Sequence, residues 1–240
     1  DNSILILESK LLNYLKIFSE KGILIKDGRA LELLSQVDTV VFDKTGTLTL
    51  EQPEVANVYV FDDFGISEDQ LLMYAASAEN RQNHPVALAI VEEAKQRELI
   101  LPQISEASYE LGLGIKVKIS NEMIRVGSIR FMENENIEIS EEKRIVQDEL
   151  MRKGYSIICV SINNRLAGFI ELHPALRPEA KGVVDFLLKQ NISLYIISGD
   201  HEKPTKHLAQ QLGIENYYAE TLPENKAKII SELQNQGRNV

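Results

Sequence analysis

Asp43 is the residue best placed for chemistry, because the apolar run Val40–Phe42 stops abruptly at it. Lys44 and the stretch Thr45–Thr47 follow; they are charged or small, and Gly46 among them permits a tight turn. The pattern predicts a buried strand that ends in a phosphate-sized loop, at the strand end where open α/β sheets bind ligands. A carboxylate there can attack a phosphoryl group and form an acyl phosphate, while the lysine, amides and hydroxyls hold phosphate oxygens. The alternative interpretation is an ordinary strand followed by a turn that Asp43 caps.

Two further segments carry residue types that would complete such a site. Ser198, Gly199 and Asp200 follow the apolar run Leu194–Ile197, so a hydroxyl and a glycine amide could bind the same phosphoryl oxygens. Lys226 lies near the start of a predicted helix, where its amine could neutralise charge on an aspartyl phosphate. Taken singly, these segments are also typical of an ordinary turn and of a solvated helix lysine.

The string DKTGTLT, from Asp43 to Thr49, resembles the phosphorylation signature of P-type ATPases, the ion pumps that form an aspartyl phosphate. Ser198-Gly199-Asp200 is similar to the TGD of that family, and Lys226 ends a matching LPxxK pattern. Together they resemble the first three motifs of the haloacid dehalogenase-like fold. The resemblance implies a nucleophile with its catalytic partners, namely Asp43, Lys44, Thr45, Ser198, Gly199, Asp200 and Lys226.

The resemblance also implies ATP as the nucleotide and Mg²⁺ as the metal. Asp43 and the backbone carbonyl of Thr45 could offer two oxygen ligands, and Mg²⁺ usually keeps several waters. The family's fourth motif, a GDGxND loop with magnesium-binding aspartates, would follow Val240. We therefore expect weakened magnesium binding and little or no turnover from residues 1–240 alone.

The middle of the chain holds a second group of candidate ligand-binding residues. Glu79 could accept a hydrogen bond from an adenine amino group, His84 could stack on the ring, and glycines let the backbone approach a nucleotide. A helix cap at His84 and a simple glycine turn are the alternatives. The order resembles the nucleotide-binding domain of heavy-metal P-type ATPases, which implies an ATP site at Glu79, His84, Gly112, Gly114 and Gly127. The chain departs from the usual pattern at four places. Asn83 stands where Glu is common, Val86 where Leu is common and Ser128 where Asn is usual. The Asp that family members usually carry near Pro174 is missing.

The elements around these residues predict two units. An α/β unit is interrupted by an α+β unit. The α/β unit has strands at 40–42 and 194–197 and helices that begin at Pro178, Pro204 and Pro223. The helix after Pro178 is expected to bury Val183, Val184, Leu187 and Leu188. We expect strands at 23–25, 55–61, 108–111, 115–119, 123–126, 156–162 and 165–170, and helices at 11–18, 29–34, 68–78, 85–98 and 141–153.

The expected fold class is therefore α/β, a haloacid dehalogenase-like Rossmannoid parallel sheet with an inserted antiparallel-sheet domain. Residues 1–21 are expected to be an N-terminal helix or tag. The phosphorylation domain is expected at 22–50 and 168–240, and the nucleotide-binding domain at 51–167.

Composition limits the partners. The net charge of −10 argues against nucleic acid or an anionic membrane surface as the main partner. The single cysteine, Cys159, lies in an apolar run and is expected to be a buried thiol. No apolar run approaches the ~20 residues that span a bilayer. His173, His201 and His207 are expected to be solvated rather than metal ligands.

The leading hypothesis is the cytoplasmic, autophosphorylating unit of a heavy-metal-transporting P-type ATPase, an integral membrane pump. Its partners would be ATP, the transported cation, and the actuator and transmembrane domains. Copper(I) is the first expectation for the cation, with zinc or cadmium behind it. One alternative is a soluble phosphatase of the same superfamily, although Thr45 occupies the place where such enzymes carry an acid. The other is a catalytically incomplete nucleotide-binding module.

Overall fold

A computed structural model describes residues 2–110 and 114–240 as helices, strands and loops. In chain order, the elements are α1 (Asn2–Glu20), α2 (Gly28–Leu34), β1 (Thr39–Asp43), β2 (Glu54–Val60), α3 (Glu68–Glu79), α4 (Pro85–Gln96), β3 (Glu106–Glu110), β4 (Gly114–Ile119), β5 (Glu122–Gly127), α5 (Ile129–Asn134), α6 (Glu141–Arg152), β6 (Ser156–Ile162), β7 (Arg165–His173), α7 (Ala180–Lys189), β8 (Ser193–Ile197), α8 (Glu202–Leu212), β9 (Asn216–Tyr218) and α9 (Pro223–Asn235). None of the helices in these ranges is long and apolar enough to cross a membrane.

The strands form two separate sheets. A parallel sheet has the order β1-β8-β9, and a six-stranded antiparallel sheet has the order β2-β7-β6-β5-β4-β3. The antiparallel sheet is inserted in the chain between β1 and β8. This arrangement confirms the predicted fold class.

The antiparallel sheet is covered on both faces. Along β6, Ile158 and Val160 pack into the core cluster that contains α3 and α4, whereas Ile157 and Cys159 pack with α5 and α6 on the opposite face. Such alternation is the strand period of two. Burial raises the pKa of the Cys159 thiol to about 12, as expected for a structural rather than a reactive cysteine.

The parallel sheet is packed by α7 and α8, whose Val184, Leu208 and Leu212 are buried against Leu194 and Ile196 of β8. The predicted apolar face of α7 is partly wrong, because Val183 is 46% and Leu188 is 39% exposed. Only one narrow stripe of this short helix faces the sheet.

Local signals set several boundaries. Ser67 caps α3 in a capping box with Gln70, and His84 accepts a hydrogen bond from the Ala87 N–H at the start of α4. The strand expected at 23–25 does not form, because Ile23 instead donates its N–H to the Phe18 carbonyl at the end of α1. Leu24 beside it is 79% exposed.

The last strand of the inserted unit is longer than expected. Residues 168–172 pair with both β2 and β6, and His173 pairs with β2 alone, so the predicted boundary at residue 167 falls inside this strand. A strand with neighbours on both sides is held along its length by ladder hydrogen bonds. The sequence pattern predicted this strand only as far as residue 170 and missed 171–173.

Gly168 in β7 provides a test of this packing. A methyl group there would lie 2.0 Å from the Tyr59 carbonyl oxygen of β2, so Gly168→Ala must displace backbone. We expect a loss of roughly 1–3 kcal/mol in unfolding free energy, measured by urea denaturation. The matched control is Gly182→Ala in α7, where a methyl group meets no heavy atom of the described residues within 4 Å. It should stabilise by about 0.5–1 kcal/mol. Equal effects of the two changes would contradict this account.

Candidate active site

The parallel pairing of β1 with β8 brings the two predicted phosphate loops together. Asp43 is in register with Ile197, so Ser198 follows at the same sheet edge as Asp43. The Ser198 N–H donates to the Tyr218 carbonyl of β9 over 2.8 Å, and the Thr221 N–H donates to the Ser198 carbonyl over 2.9 Å. All three parallel strands therefore support this edge.

The loop after Asp43 is a closed turn. Both the N–H and the hydroxyl of Thr49 donate to the Lys44 carbonyl over 3.2 Å. Gly46 has φ of +78°, a left-handed conformation that a side chain would strain. The sequence prediction of a tight glycine turn at this place is consistent with this geometry.

Lys44 is 1% exposed, and its ammonium group pairs with the Asp200 carboxylate. Asp200 is in turn oriented by its own N–H, which donates to the Ser198 hydroxyl over 3.0 Å. A buried ammonium requires a counter-charge. The structure therefore joins the two loops through an ion pair rather than leaving Lys44 free to face a ligand.

Lys226 reaches the candidate nucleophile from α9. Its ammonium donates to Asp43 Oδ1 over 2.9 Å, and both side chains are partly exposed. Pro223 begins the helix, which fixes the backbone three residues before the lysine. Lys226 therefore contacts Asp43 directly, whereas the Ser198–Asp200 loop contacts the neighbouring Lys44 through Asp200.

A cavity of about 750 Å³ adjoins this edge of the sheet. Its lining combines Lys44, Thr45, Gly199 and Asp200 of the parallel-sheet unit with residues of the inserted unit that include His84. We call this cavity the cleft. It is large enough for a nucleotide-sized ligand.

Glu79 and His84 lie together at the ends of α3 and α4. His84 Nε2 is 3.3 Å from Glu79 Oε2, but the two atoms are not aligned for a hydrogen bond. Glu79 is 4% exposed, and its Oε2 has no hydrogen-bond partner among the described residues. Burial raises the pKa of Glu79 to about 7. A buried oxygen without a donor is suited to a ligand that brings one.

The predicted glycines divide into two groups. Gly114 of β4 and Gly127 of β5 are directly opposite in the antiparallel ladder. A methyl group on Gly114 would lie 2.7 Å from the Val126 carbonyl oxygen, so close packing alone explains that glycine. Gly112 lies outside the described residues.

The other histidines lie at the contact between the two units. Tyr155 stacks on His173 at 3.6 Å between ring centroids, and its hydroxyl is 3.0 Å from His207 Nδ1 of α8. His173 Nε2 is 2.7 Å from Glu171, and His201 Nδ1 is 3.2 Å from Glu220. Within 2–110 and 114–240, no group of three His, Cys, Asp or Glu side chains could hold a metal ion.

Sequence reasoning missed one residue at the loop. The Arg177 side chain donates to the Gly46 carbonyl over 2.9 Å. The signal was present as Arg177-Pro178-Glu179-Ala180, but its position 131 residues away from Gly46 concealed the contact.

Comparisons with known proteins identify the family. The family description "haloacid dehalogenase-like hydrolase" matches residues 37–240. A copper-exporting P-type ATPase of Vibrio cholerae is 35% identical over 222 residues, which are 92% of this chain and 24% of that protein. This chain therefore spans about a quarter of the length of that curated relative.

Solved structures give the same result. A zinc-transporting PIB-type ATPase in its E2.Pi state aligns with a TM-score of 0.76 and 32% identity, over 93% of this chain and 36% of that one. The catalytic domain of a CPx-ATPase, studied for its conformational changes on nucleotide binding, aligns with a TM-score of 0.65 and 28% identity. That match covers 93% of this chain and 77% of the other.

The raised pKa of Glu79 predicts a pH-dependent stability. The folded state holds this proton more tightly than the unfolded state, so ionisation costs stability as pH rises from about 4.5 to about 7. Glu79→Gln cannot ionise. The unmutated chain should lose stability relative to Glu79→Gln as pH rises. The difference in unfolding free energy between the two proteins should increase by on the order of 2 kcal/mol between pH 5 and pH 8.

Chemical denaturation at both pH values measures this advantage. The control is Glu92→Gln on the exposed side of α4, which should change the unfolding free energy little at either pH. An advantage of Glu79→Gln that is the same at pH 5 and pH 8 would show that Glu79 ionises normally.

Proposed function

The chain belongs to the haloacid dehalogenase-like hydrolase family, and from that premise we propose that it is the cytosolic catalytic unit of a heavy-metal-transporting P-type ATPase. The parallel-sheet unit would be the phosphorylation domain, and the inserted unit would be the nucleotide-binding domain. The inserted domain would then extend to His173, where β7 ends.

The cleft is the observation that carries this proposal. It is lined by Lys44 and Thr45 next to the candidate nucleophile and by His84 of the inserted unit. A phosphoryl donor bound by one unit must reach a carboxylate on the other, and a shared cavity provides the space for it.

We propose that ATP is the donor and that Glu79 and His84 bind its adenine end. The unpartnered, buried Glu79 Oε2 fits an incoming amino group, because a new donor would offset the cost of burying this oxygen. His84 is also the cap of α4 through its Nδ1, which leaves Nε2 as the protonated nitrogen that faces Glu79. Gly114 and Gly127, which pair across the same sheet, would let its backbone approach the nucleotide.

Phosphoryl transfer would then occur at Asp43. A carboxylate oxygen attacks the γ-phosphorus, the bond to the β,γ-bridging oxygen breaks, and ADP leaves with the electron pair. Lys226 already neutralises Asp43 at 2.9 Å and would stabilise the phosphorylated carboxylate. Thr45 cannot protonate a leaving group as a carboxylic acid does, which favours a phosphoenzyme that persists.

Mg²⁺ would bind beside the same carboxylate. The donors present are hard oxygens, the Asp43 carboxylate and the Thr45 carbonyl, which is the ligand type that Mg²⁺ prefers. When bound, the ion would neutralise charge on the transferred phosphoryl group. Asp43 has one oxygen, Oδ2, that Lys226 does not contact within hydrogen-bond distance.

The remaining partners follow from the same proposal. The actuator and transmembrane domains of the pump and a heavy-metal cation would complete the cycle, with this unit on the cytoplasmic side. The two pumps compared above are named for copper and for zinc. We keep copper(I) as the first cation to test, with zinc or cadmium behind it.

Calorimetric titration of ATP without Mg²⁺ tests the nucleotide site. We expect saturable binding, and we expect Glu79→Ala to weaken it at least tenfold, equivalent to about 1.4 kcal/mol. His84→Asn should weaken binding similarly. Asparagine keeps a cap for α4, so this variant removes the ring without removing the cap.

Glu92→Ala is the matched control, because Glu92 is an exposed carboxylate on α4. It should leave the dissociation constant for ATP within twofold. Absence of ATP binding by the unmutated, folded chain would contradict the assignment of the nucleotide to the inserted unit.

A further inference from the structure

Arg177 makes two hydrogen bonds to the loop that follows Asp43. Its guanidinium Nη2 donates to the Gly46 carbonyl over 2.9 Å, and its backbone N–H donates to the Leu48 carbonyl over 2.9 Å. The guanidinium also forms an ion pair with Glu179 at 3.8 Å, and the Arg177 carbonyl accepts a hydrogen bond from the Ala180 N–H over 3.0 Å. The side chain is thus held between the loop and the start of the next helical segment.

The residues just before Arg177 extend this contact. The Leu50 N–H donates to the Ala175 carbonyl over 2.8 Å, and Thr49 forms an isolated bridge with Leu176. The segment that leaves the inserted unit therefore runs alongside the segment that enters it. These four residues and Arg177 form the joint between the two units.

The orientation of the Gly46 carbonyl controls the backbone conformation of the loop. In a trans peptide, the C=O and the following N–H point in opposite directions, so fixing the Gly46 carbonyl fixes the direction of the Thr47 N–H. Gly46 is also the loop residue with the greatest backbone freedom, at φ of +78°. Holding its carbonyl removes that freedom before a phosphoryl group arrives.

We propose that Arg177 is a positioning residue that holds the phosphorylation loop in its phosphate-binding conformation and links it to the inserted unit. This inference rests on the proposed function of the same loop. The link is short, because β7 ends at His173 and Arg177 follows it by four residues. A displacement of β7 would therefore be transmitted to the Gly46 carbonyl through Ala175 and Arg177.

Hydrogen exchange tests the positioning role without any ligand. In Arg177→Met, which keeps the aliphatic stem but removes the donors, the Thr49 amide should exchange at least tenfold faster, because it closes the loop onto Lys44. Arg177→Lys should be intermediate, since a lysine can reach a carbonyl with one ammonium but lacks the planar fork. Glu179→Gln, which removes only the 3.8 Å ion pair, should match the unmutated chain.

Two binding measurements separate positioning from nucleotide contact. The probes are beryllium fluoride with Mg²⁺, which acts as a phosphoryl analogue on aspartate, and ATP without Mg²⁺. Arg177→Met should weaken beryllium fluoride binding at least tenfold and leave the dissociation constant for ATP within twofold. Arg177→Lys should recover part of the lost beryllium fluoride affinity.

The outcomes are distinguishable. Unchanged exchange at Thr49 in Arg177→Met would overturn the positioning role, as would an equal loss of ATP and beryllium fluoride binding. If the unmutated chain binds no beryllium fluoride, the proposed chemistry at Asp43 fails in this chain. The exchange of the Thr49 amide still decides whether Arg177 holds the loop.

Discussion

The ion pair between Lys44 and Asp200 is the constraint on which the rest of the site depends. Lys44 is almost fully buried, and an unpaired ammonium in that position would cost several kcal/mol. Asp200 must therefore stay beside it, and Asp200 follows β8 whereas Lys44 follows β1. The parallel register of these strands places both loops at one edge, and the ion pair then fixes the distance between them. Ser198 orients Asp200, so a residue predicted to bind phosphate also supports the pair.

A second sheet is inserted in the chain between β1 and β8, so the chain must leave and re-enter the parallel-sheet unit at this same edge. The chain leaves the first loop through Thr49 and Leu50 and returns through Ala175–Arg177, and the two segments are hydrogen-bonded to each other. The same residues therefore join the two units and contact the loop that follows Asp43. Contact farther out, where Tyr155 meets His207, adds a second point at which the inserted unit rests on the parallel-sheet unit. The cleft is the space enclosed between these two points.

The sequence predicted the elements whose signals are local. Ser67, Pro85 and Pro223 mark helix starts, and the apolar runs before Asp43 and Ser198 mark two strands of the parallel sheet, β1 and β8. Signals that depend on distant partners were missed or misjudged. The strand expected at 23–25 has no pairing strand among the described residues, and β9, only three residues long, forms because β8 lies beside it. The burial of Lys44 and the contact of Arg177 with Gly46 arise from residues more than 100 positions apart, which no local pattern encodes.

The charges at the loop are balanced before any phosphoryl group binds, and this bears on the Mg²⁺ that we propose for the site. Asp43 pairs with Lys226 and Asp200 pairs with Lys44, so these four side chains sum to zero. Arg177 directs its guanidinium to the Gly46 carbonyl and the Glu179 carboxylate rather than to Asp43. A triphosphate brings several further negative charges into a chain that already carries −10. Lys44 is buried against Asp200, whereas Lys226 is partly exposed. In the proposed reaction, Lys226 would move from the carboxylate to the phosphoryl oxygens. One lysine would not balance that charge, and the Mg²⁺ proposed to bind beside Asp43 would supply the remainder.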